Sequence, residues 1–427
     1  MTPALRRELS LLHACGIGLA AMIGAGVFVV FAPAAAVAGE WLFAGIALAL
    51  VVAVCNAIAT AQLSMQYPSS GGSYHFGREQ LGEWPGFVAG WGFVIGKTAS
   101  AAAMALTVGT YIATSVVGGD SIWQRVIAVL AIVVVVACNL AGITRTATAS
   151  LFIVAIVLVG LAAVLGSIWV DGGADALVPA ATQVAEAGPL GALQAGGLIF
   201  FAFAGYARIA TLGDEVREPT RTIPRAIAIT LPIVAVLYVV IAITLVDTLG
   251  VAELAKSPAP LSAATAGIPW AQALVPVIAA TAALGALLAG IAGITRTGYA
   301  MASNRDLPHA LAAISPRSQV PALLTCIIGV IDIVLVCFGD IRDVIGFSSV
   351  GVLVYYFVAN AAAWSQSDAH RRFPRWLQLL GATLCLVLVV TLPPLSVWSG
   401  IAVLAVGVGF RLIVRATSRP NASTLAK

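Results

Sequence analysis

The sequence predicts an all-α polytopic membrane protein with about twelve transmembrane helices. Of its 427 residues, 60% are hydrophobic and 9% are charged, whereas a soluble protein carries about 25% charged residues. Apolar runs of about 20 residues recur along the whole chain, and each is long enough to cross a ~30 Å hydrocarbon core. No soluble domain separates these runs, so we expect one transmembrane domain over residues 1–427.

The apolar runs define the predicted spans, numbered here in chain order. Their centres lie near residues 23, 54, 100, 131, 159, 201, 234, 285, 329, 354, 382 and 405. We expect the lipid bilayer to be the principal surroundings of the protein.

Basic residues predict the orientation of these spans. One set of alternate loops and ends holds Arg6, Arg7, Arg78, Arg145, Arg208, Arg217, Arg221, Arg225, Arg296, Arg305, Arg317, Arg371, Arg372, Arg375, Arg411, Arg415, Arg419 and Lys427. The other set holds only Arg125, Lys256 and Arg342. The positive-inside rule therefore predicts a multi-pass protein of the cytoplasmic membrane with both termini in the cytoplasm. The net charge of +4 is explained by these loops and indicates no nucleic-acid partner.

Span 1 contains a glycine-rich stretch, G-I-G-L-A-A-M-I-G-A-G-V-F, from Gly16 to Phe28. Gly24 and Gly26 lie in mid-span, and each glycine costs about 1 kcal/mol in a helix interior relative to alanine. Lipid cannot satisfy the backbone groups that a helix break exposes, so a break is tolerated only against protein or a water-filled cavity. Close helix packing is the alternative use of such glycines. We interpret the stretch as a broken helix at a binding site.

Span 6 contains a second candidate break. The stretch F-F-A-F-A-G-Y-A-R lies within Gly196 to Leu212 and has Gly205 at its centre. Two interrupted helices, five spans apart, indicate an inverted repeat with a substrate site near the bilayer midplane. We expect a 5+5 arrangement with repeats at about residues 10–170 and 188–365, followed by two extra helices at about 374–415. This pattern is typical of secondary transporters.

Four stretches resemble the amino acid–polyamine–organocation (APC) transporters, in their amino acid permease branch. They are the span 1 break, G-D-E-V-R-E-P-T-R-T-I-P-R-A-I from Gly213 to Ile227, R-T-G-Y-A-M-A-S-N-R-D-L-P from Arg296 to Pro308, and the weaker P-S-S-G-G-S-Y from Pro68 to Tyr74. The resemblance implies a LeuT-like fold, an amino-acid substrate and alternating access. In that cycle spans 1, 2, 6 and 7 rock against spans 3–5 and 8–10.

A zwitterionic amino acid would use backbone groups of both breaks. Its carboxylate needs N–H donors, which the start of the second half of span 1 supplies with the positive end of a helix dipole. Its ammonium needs carbonyl acceptors, which unwound backbone supplies. The predicted substrate-binding residues are Ala21, Met22, Ile23, Gly24, Ala25, Gly26, Val27, Phe203, Ala204, Gly205, Tyr206 and Tyr111.

The side-chain end of the site predicts the class of substrate. Phe203, Tyr206 and the span 3 residues Met104, Thr107 and Tyr111 would surround it, although Tyr206 and Tyr111 are equally suited to interior packing. No acid falls in this region, and an unpaired buried charge is costly. Neutral, apolar amino acids are therefore expected. A cationic amino acid or polyamine transporter, or an exporter of the same fold, is the alternative.

Lys97 is the predicted coupling residue. It lies about 18 Å into span 3 at 1.5 Å per residue, and a mid-span lysine costs about 3 kcal/mol on insertion scales. Phe152 to Val164 of span 5 holds no lysine, and Ala282 to Ile294 of span 8 holds no serine or threonine for a sodium site. We expect sodium-independent transport, coupled to protons or driven by exchange, with Lys97 as a fixed or titrating charge. A structural lysine that bonds helix-end carbonyls or snorkels is the alternative.

Two further intramembrane charges have weaker functional interpretations. Asp332 lies mid-way along span 9, outside the expected substrate bundle, where a scaffold role is favoured over a proton path. Arg208 follows the span 6 break and would pair with Asp214 or Glu215 as an inner gate, or act as a positive-inside anchor.

Other classes of function are disfavoured. The cysteines (Cys15, Cys55, Cys138, Cys326, Cys337 and Cys385) have no metal-ligand spacing, so no metal or other cofactor is expected. The nucleotide-binding pattern G-x-x-x-x-G-K-[ST] is absent from the sequence. A membrane enzyme would need a cluster of acid–base side chains, and the loop acids and histidines are dispersed. A sensor that binds an amino acid without moving it is the remaining rival.

Overall fold

The structure, a computed structural model, describes residues 8–69, 71–142, 146–171, 188–315, 318 and 320–417. These residues are helical almost throughout. Within them, β-structure is limited to an isolated parallel bridge between Leu9 and Val216. The prediction of an all-α fold is confirmed.

Spans 1 and 6 are interrupted near their middles, whereas each of the other spans is a single helix element. Span 1 consists of Leu11–Ile23, Gly26–Val29 and Phe31–Ala38, and span 6 of Pro189–Phe203, the 3-10 turn Ala204–Tyr206 and Ala207–Ala210. Spans 2 to 5 are Leu42–Gln66, Glu83–Val116, Ser121–Leu140 and Thr146–Asp171, and spans 7 to 12 are Pro219–Lys256, Pro269–Ser303, Ala322–Phe338, Ile341–Trp364, Arg375–Thr391 and Pro394–Thr417. Between spans lie the helices Gly72–Leu81 and Pro260–Ala264 and the 3-10 turns Gly39–Trp41 and His309–Ala312.

The helices match the predicted spans in number and place. In the described part of the chain, 10 candidate spans are long and apolar enough to cross a membrane. Ala322–Phe338 and Arg375–Thr391 have 17 residues each, at the lower end of the crossing range of about 17–25 residues. Each predicted centre lies within its helix, and the predicted fold class is confirmed.

Spans 3, 7 and 8 are longer than predicted, with 34, 38 and 35 residues. Hydropathy detects the part of a helix that lies in hydrocarbon, whereas these helices continue beyond it. Span 7 leaves helical geometry at Gly250, where φ is 71°, so its last turns form a separate segment. A glycine adopts this left-handed conformation without steric cost.

The start of span 1 is tied to the connection between spans 6 and 7. The Leu9 N–H donates to the Glu215 carbonyl over 3.0 Å, and the Arg217 N–H donates to the Leu9 carbonyl over 2.9 Å. These bonds lie at the end of the bundle where span 1 begins and span 12 ends, which we call the terminal face.

A buried ionic cluster closes another part of the terminal face. Asp306, just after span 8, is fully buried and accepts hydrogen bonds from the Tyr74 hydroxyl (2.9 Å), Arg78 (2.7 Å) and Nε of Arg411 (2.9 Å). Burial and the neighbouring carboxylate raise the pKa of Tyr74, so its phenol remains a donor. The buried Arg411 guanidinium also covers the Trp84 ring, 4.3 Å from its centroid. The cluster joins span 12 to spans 3 and 8 and to helix Gly72–Leu81.

The division into two repeats and the orientation in the membrane stay predictions. Of the basic residues used for the orientation, Arg6, Arg7, Arg145, Arg317, Arg419 and Lys427 lie outside the described residues, as does Ser70 of the stretch Pro68 to Tyr74.

Candidate functional site

The helix of span 1 breaks where the glycines predicted it. Helix Leu11–Ile23 ends at Gly24, which has φ −28° and ψ −104°, and the chain becomes helical again at Gly26. Val30 keeps helical angles (φ −77°, ψ −28°), so 26–29 and 31–38 form one bent segment. Among the described residues, the N–H group of Ala25 has no main-chain hydrogen-bond partner. It directly precedes the helical segment Gly26–Val29, and the first N–H groups of a helical segment have no acceptor within that segment.

Span 6 changes from α-helix to a 3-10 turn beside the span 1 break. The turn, Ala204–Tyr206, contains Gly205. A Cβ atom on Gly205 would lie 2.5 Å from the Ala21 carbonyl carbon and from the Met22 nitrogen. Real Cβ atoms do not approach backbone so closely, so glycine is required for the two interrupted spans to meet.

Side chains from other spans bind the carbonyl groups at both breaks. Tyr238 of span 7 donates its hydroxyl to the Met22 carbonyl over 2.6 Å, and that hydroxyl lies 3.2 Å from the Ala202 carbonyl. The Ala204 carbonyl accepts from the Lys97 ammonium over 3.2 Å and from the Tyr356 hydroxyl over 3.4 Å. Buried backbone acceptors need such partners when the helix no longer supplies them.

A small cavity lies between the breaks and spans 3 and 8. It has a volume of about 40 Å³ and is lined by Ala21, Phe93, Lys97, Ser100, Ala101, Met104, Gly205, Arg208, Ala286, Ala289, Gly290 and Gly293. An adjoining cavity of about 10 Å³ is lined by Ala21, Met22, Ala25, Gly26, Lys97, Ser100, Met104, Phe201 and Ala202. This space suits a few water molecules. An amino acid would need the walls to move apart.

The cavity walls are apolar with two cationic side chains. Lys97 and Arg208 are the charged lining residues, and the lining includes no acidic side chain. Arg208 donates to the Thr211 hydroxyl over 2.7 Å. Glu215, a predicted partner of Arg208, instead forms its ion pair with Arg296 of span 8. Electrostatically, the cavity disfavours cations and accommodates groups that carry no net positive charge.

The predicted site residues fall into two groups. Ala21, Met22, Ala25, Gly26, Gly205 and Lys97 line the cavities, and Ala204 contributes its carbonyl to Lys97. Ile23, Gly24, Val27, Phe203, Tyr206 and Tyr111 are buried and do not line the cavities.

The aromatic residues of the second group have packing partners. The Phe203 ring lies 4.9 Å from that of Tyr238, and the Tyr206 ring 5.0 Å from that of Tyr356. The Tyr111 hydroxyl donates to the Phe28 carbonyl over 2.8 Å. Their roles in a substrate pocket stay predictions that depend on a more open form.

The span 3 residues expected near the substrate side chain also include one that lines the cavities and one that does not. Met104 lines both cavities. Thr107 donates its hydroxyl to the Ala103 carbonyl of its own helix over 2.8 Å and does not line either cavity.

Asp332 of span 9 is fully buried, and neither of its carboxyl oxygens has a hydrogen-bond partner among the described residues. It is not part of the cavity lining.

Sequence reasoning missed Tyr238 and Tyr356. Both are fully buried and both bond main-chain carbonyls at the breaks. The available signal was a hydroxyl inside an apolar span, which needs a partner when buried. The small residues Ala286, Ala289, Gly290 and Gly293 of span 8 were also missed; their spacing of three and four residues places them on one helix face.

Two interrupted spans that meet beside a buried cavity, within an all-helical membrane bundle, define a membrane transporter. The amino acid permease family matches residues 9–411, and the chain belongs to this family. An uncharacterized transporter of Mycobacterium tuberculosis is 49% identical over 98% of this chain and 94% of its own length. The family and this relative assign the chain to transporters rather than to enzymes.

Plant relatives are more distant. Cationic amino acid transporter 3, mitochondrial, of Arabidopsis thaliana is 29% identical over 82% of this chain and 61% of its own length. Cationic amino acid transporter 6, chloroplastic, of the same plant is 26% identical over 84% of this chain and 65% of its own length.

Proposed function

We propose that the protein is a secondary active transporter of neutral, apolar amino acids. It would lie in the cytoplasmic membrane with both termini in the cytoplasm and work by alternating access. The observation that carries the proposal is the contact of the Lys97 ammonium with the Ala204 carbonyl, in a cavity whose lining has no acidic side chain. An ammonium group already occupies the carbonyl acceptor of the unwound span 6.

The backbone donors at the span 1 break favour a zwitterionic substrate. The Ala25 N–H has no main-chain acceptor, and it lies at the start of the helical segment Gly26–Val29, where N–H groups and the helix dipole suit a carboxylate. Hydrogen bonds from several N–H groups to a charged acceptor are about twice as strong as neutral ones. Carbonyl groups at the span 6 break then serve the substrate ammonium. The apolar side chains of Phe93 and Met104 and the small residues of span 8 would surround a modest side chain.

Lys97 and the substrate ammonium would compete for the Ala204 carbonyl. Substrate binding then requires Lys97 to leave this acceptor, either as an ammonium that moves or as an amine that has released its proton. Proton release would couple transport to the proton gradient, whereas movement alone would favour exchange of one amino acid for another. In either route the Lys97 ammonium serves as the cation that sodium would otherwise supply, so transport does not depend on sodium.

Cationic amino acids are the second candidate substrates, because the Arabidopsis relatives are named cationic amino acid transporters. Two observations disfavour them. The cavity is lined by Lys97 and Arg208, and its lining offers no carboxylate to a second positive charge. Like charges at close range in a low-dielectric site repel strongly.

Transport in proteoliposomes tests the proposal. Uptake of radiolabelled neutral and cationic amino acids would be compared with and without sodium and a pH gradient. We expect uptake of an apolar neutral amino acid that does not need sodium. Thermal stabilisation measures binding separately, because a ligand at 100 times its Kd adds about 2.7 kcal/mol. Stabilisation without flux would identify a sensor, and flux of cationic amino acids alone would overturn the neutral substrate.

The variant Lys97→Met tests the coupling role. We expect it to retain amino-acid binding and to lose the pH dependence of uptake. Lys256→Met is the matched control, since Lys256 is exposed and pairs with Glu253 away from the cavity. A Lys97→Met protein that transports with the wild-type pH profile would contradict the coupling role and leave the substrate assignment standing.

A further inference from the structure

A groove on the outer surface of the bundle lies between spans 2 and 7. It has a volume of about 450 Å³, in the range of small-molecule sites. Its walls are residues of span 2, of span 7 and of the segment before span 11: Val54, Ala57, Ile58, Ala61, Met65, Pro224, Arg225, Ile227, Ala228, Leu231, Pro232 and Phe373. The central cavity uses none of these residues.

The length of the groove matches one leaflet of a bilayer. Its span 2 wall runs from Val54 to Met65, about 16 Å at 1.5 Å per residue. Half of a hydrocarbon core is about 15 Å thick. Val54, Ala228 and Pro232 are exposed on the outer surface, so the groove opens toward lipid. An acyl chain of one leaflet would fit along it.

The end of the groove nearest the terminal face carries a positive charge. Arg225 is the charged residue among those that line the groove, and its side chain is exposed. Glu218, the nearby acid at the start of span 7, pairs with Arg221. The groove therefore offers an apolar channel with an available guanidinium at its mouth.

The wall formed by the segment before span 11 is held in place by a buried side chain of span 2. The carbonyl oxygen of the Gln62 side chain accepts from the N–H groups of Arg372 and Phe373, each over 2.9 Å. The Gln62 amide nitrogen in turn donates to Gln366 over 2.5 Å. These bonds fix Phe373 over the groove, which makes the groove a built feature of the fold.

From this arrangement we infer that the groove binds an anionic phospholipid. Its phosphate would pair with Arg225, and one acyl chain would lie between spans 2 and 7. Arginine recognises phosphate through parallel hydrogen bonds, and basic pockets between transmembrane helices at a membrane surface suit anionic headgroups. This inference is independent of the transported substrate.

Native mass spectrometry of the full-length protein tests the inference. The purified protein would be incubated in detergent micelles with phosphatidylglycerol or phosphatidylcholine, and retained lipid would be counted. We expect the wild type to retain phosphatidylglycerol preferentially. Arg225→Gln should lower this retention about fivefold, the factor that corresponds to about 1 kcal/mol for one arginine near an anionic surface. Ala228→Trp should fill the groove and lower retention of both lipids.

Matched controls separate this site from general lipid contact. Arg221→Gln removes an exposed arginine that does not line the groove, and Ile229→Trp adds bulk to an exposed residue beside it. Both should retain phosphatidylglycerol as the wild type does, and a thermal melt of each variant checks its fold. Equal retention in Arg225→Gln and Arg221→Gln, or equal retention of the two lipids by the wild type, would overturn the inference.

Discussion

The hydroxyl of Tyr238 in span 7 donates to the Met22 carbonyl over 2.6 Å, at the last turn before the span 1 break. The Ala202 carbonyl of span 6 is 3.2 Å from this hydroxyl. A hydroxyl has one proton to donate, so the shorter contact to Met22 is the principal bond. One side chain thus lies between the main chains of both interrupted spans.

Tyr238→Phe should weaken the protein at this junction. The change leaves the buried Met22 carbonyl without its donor, at a cost of about 1–3 kcal/mol. We expect a lower melting temperature and weaker amino-acid binding, both measured by thermal unfolding with and without ligand. Tyr111→Phe removes a comparable hydroxyl bond to Phe28, beyond the break. It should lose stability with less effect on binding, and equal loss of binding in both would contradict a special role for Tyr238.

Gly205→Ala should abolish transport. Its Cβ would lie 2.5 Å from the main chain of Ala21 and Met22, so the two interrupted spans would have to separate. We expect uptake in proteoliposomes to fall at least about tenfold, because small displacements of binding groups carry large rate costs. Gly166→Ala is the control, since a Cβ there meets no atom within 4 Å. Wild-type uptake by Gly205→Ala would show that the close approach is dispensable.

Asp306→Asn should be strongly destabilising. It removes the buried carboxylate that lies 2.7 Å from the Arg411 guanidinium and leaves the more distant Glu83 at 3.9 Å; breaking a buried ion pair costs about 3–5 kcal/mol. Glu253→Gln is the comparison, because its ion pair with Lys256 is exposed at both partners and should contribute at most about 1 kcal/mol. Thermal unfolding measures both. A double variant, Asp306→Asn with Arg411→Met, should lose less than the sum of the single changes.

Stability should fall in acid partly through His75, which lies outside the spans on helix Gly72–Leu81. Burial lowers the pKa of His75, and the nearby Glu79 and Asp214 oppose this shift. The folded protein disfavours the protonated ring. The stability that the neutral His75 ring contributes is therefore complete above the ordinary pKa of about 6.5, and it is lost as the pH falls below that value. We expect His75→Gln to lose less stability than the wild type between about pH 7.5 and 5.

The melting temperature as a function of pH measures this effect. His370→Gln, at an exposed side chain, serves as the control. Parallel curves for the wild type and His75→Gln would contradict the assignment.

The breaks in spans 1 and 6 could be predicted because glycine at Gly24, Gly26 and Gly205 has a local energetic meaning in a membrane helix. The span centres could be predicted because hydropathy is also local. The partner of Lys97 could not, since its contact with Ala204 joins residues 107 apart in sequence. The depth of Lys97 in span 3 indicated a functional role. Its hydrogen-bond acceptor, the Ala204 carbonyl, depends on how spans 3 and 6 pack.

Tyr206 and Tyr238 show why side-chain contacts at the breaks could not be predicted from the sequence. Both are tyrosines in apolar helices, and the sequence favoured Tyr206 because it adjoins the span 6 break. In the structure Tyr238, from span 7, bonds the break, whereas the Tyr206 ring packs against Tyr356. The rotation of span 7 about its axis decides which tyrosine reaches the junction, and that rotation depends on long-range packing. The helix Gly72–Leu81 was missed because it is too polar and short for a hydropathy window.

The main-chain bonds between Leu9 and the connection after span 6 have a mechanical consequence. They join the two interrupted spans at the terminal face through main-chain atoms alone. Among substitutions at Leu9 and Arg217, only a change to proline removes an N–H donor. The terminal halves of spans 1 and 6 are thus attached to each other at two levels, at these hydrogen bonds and at the paired breaks. We therefore expect any opening of the cavity toward this face to move both halves together or to break the two hydrogen bonds.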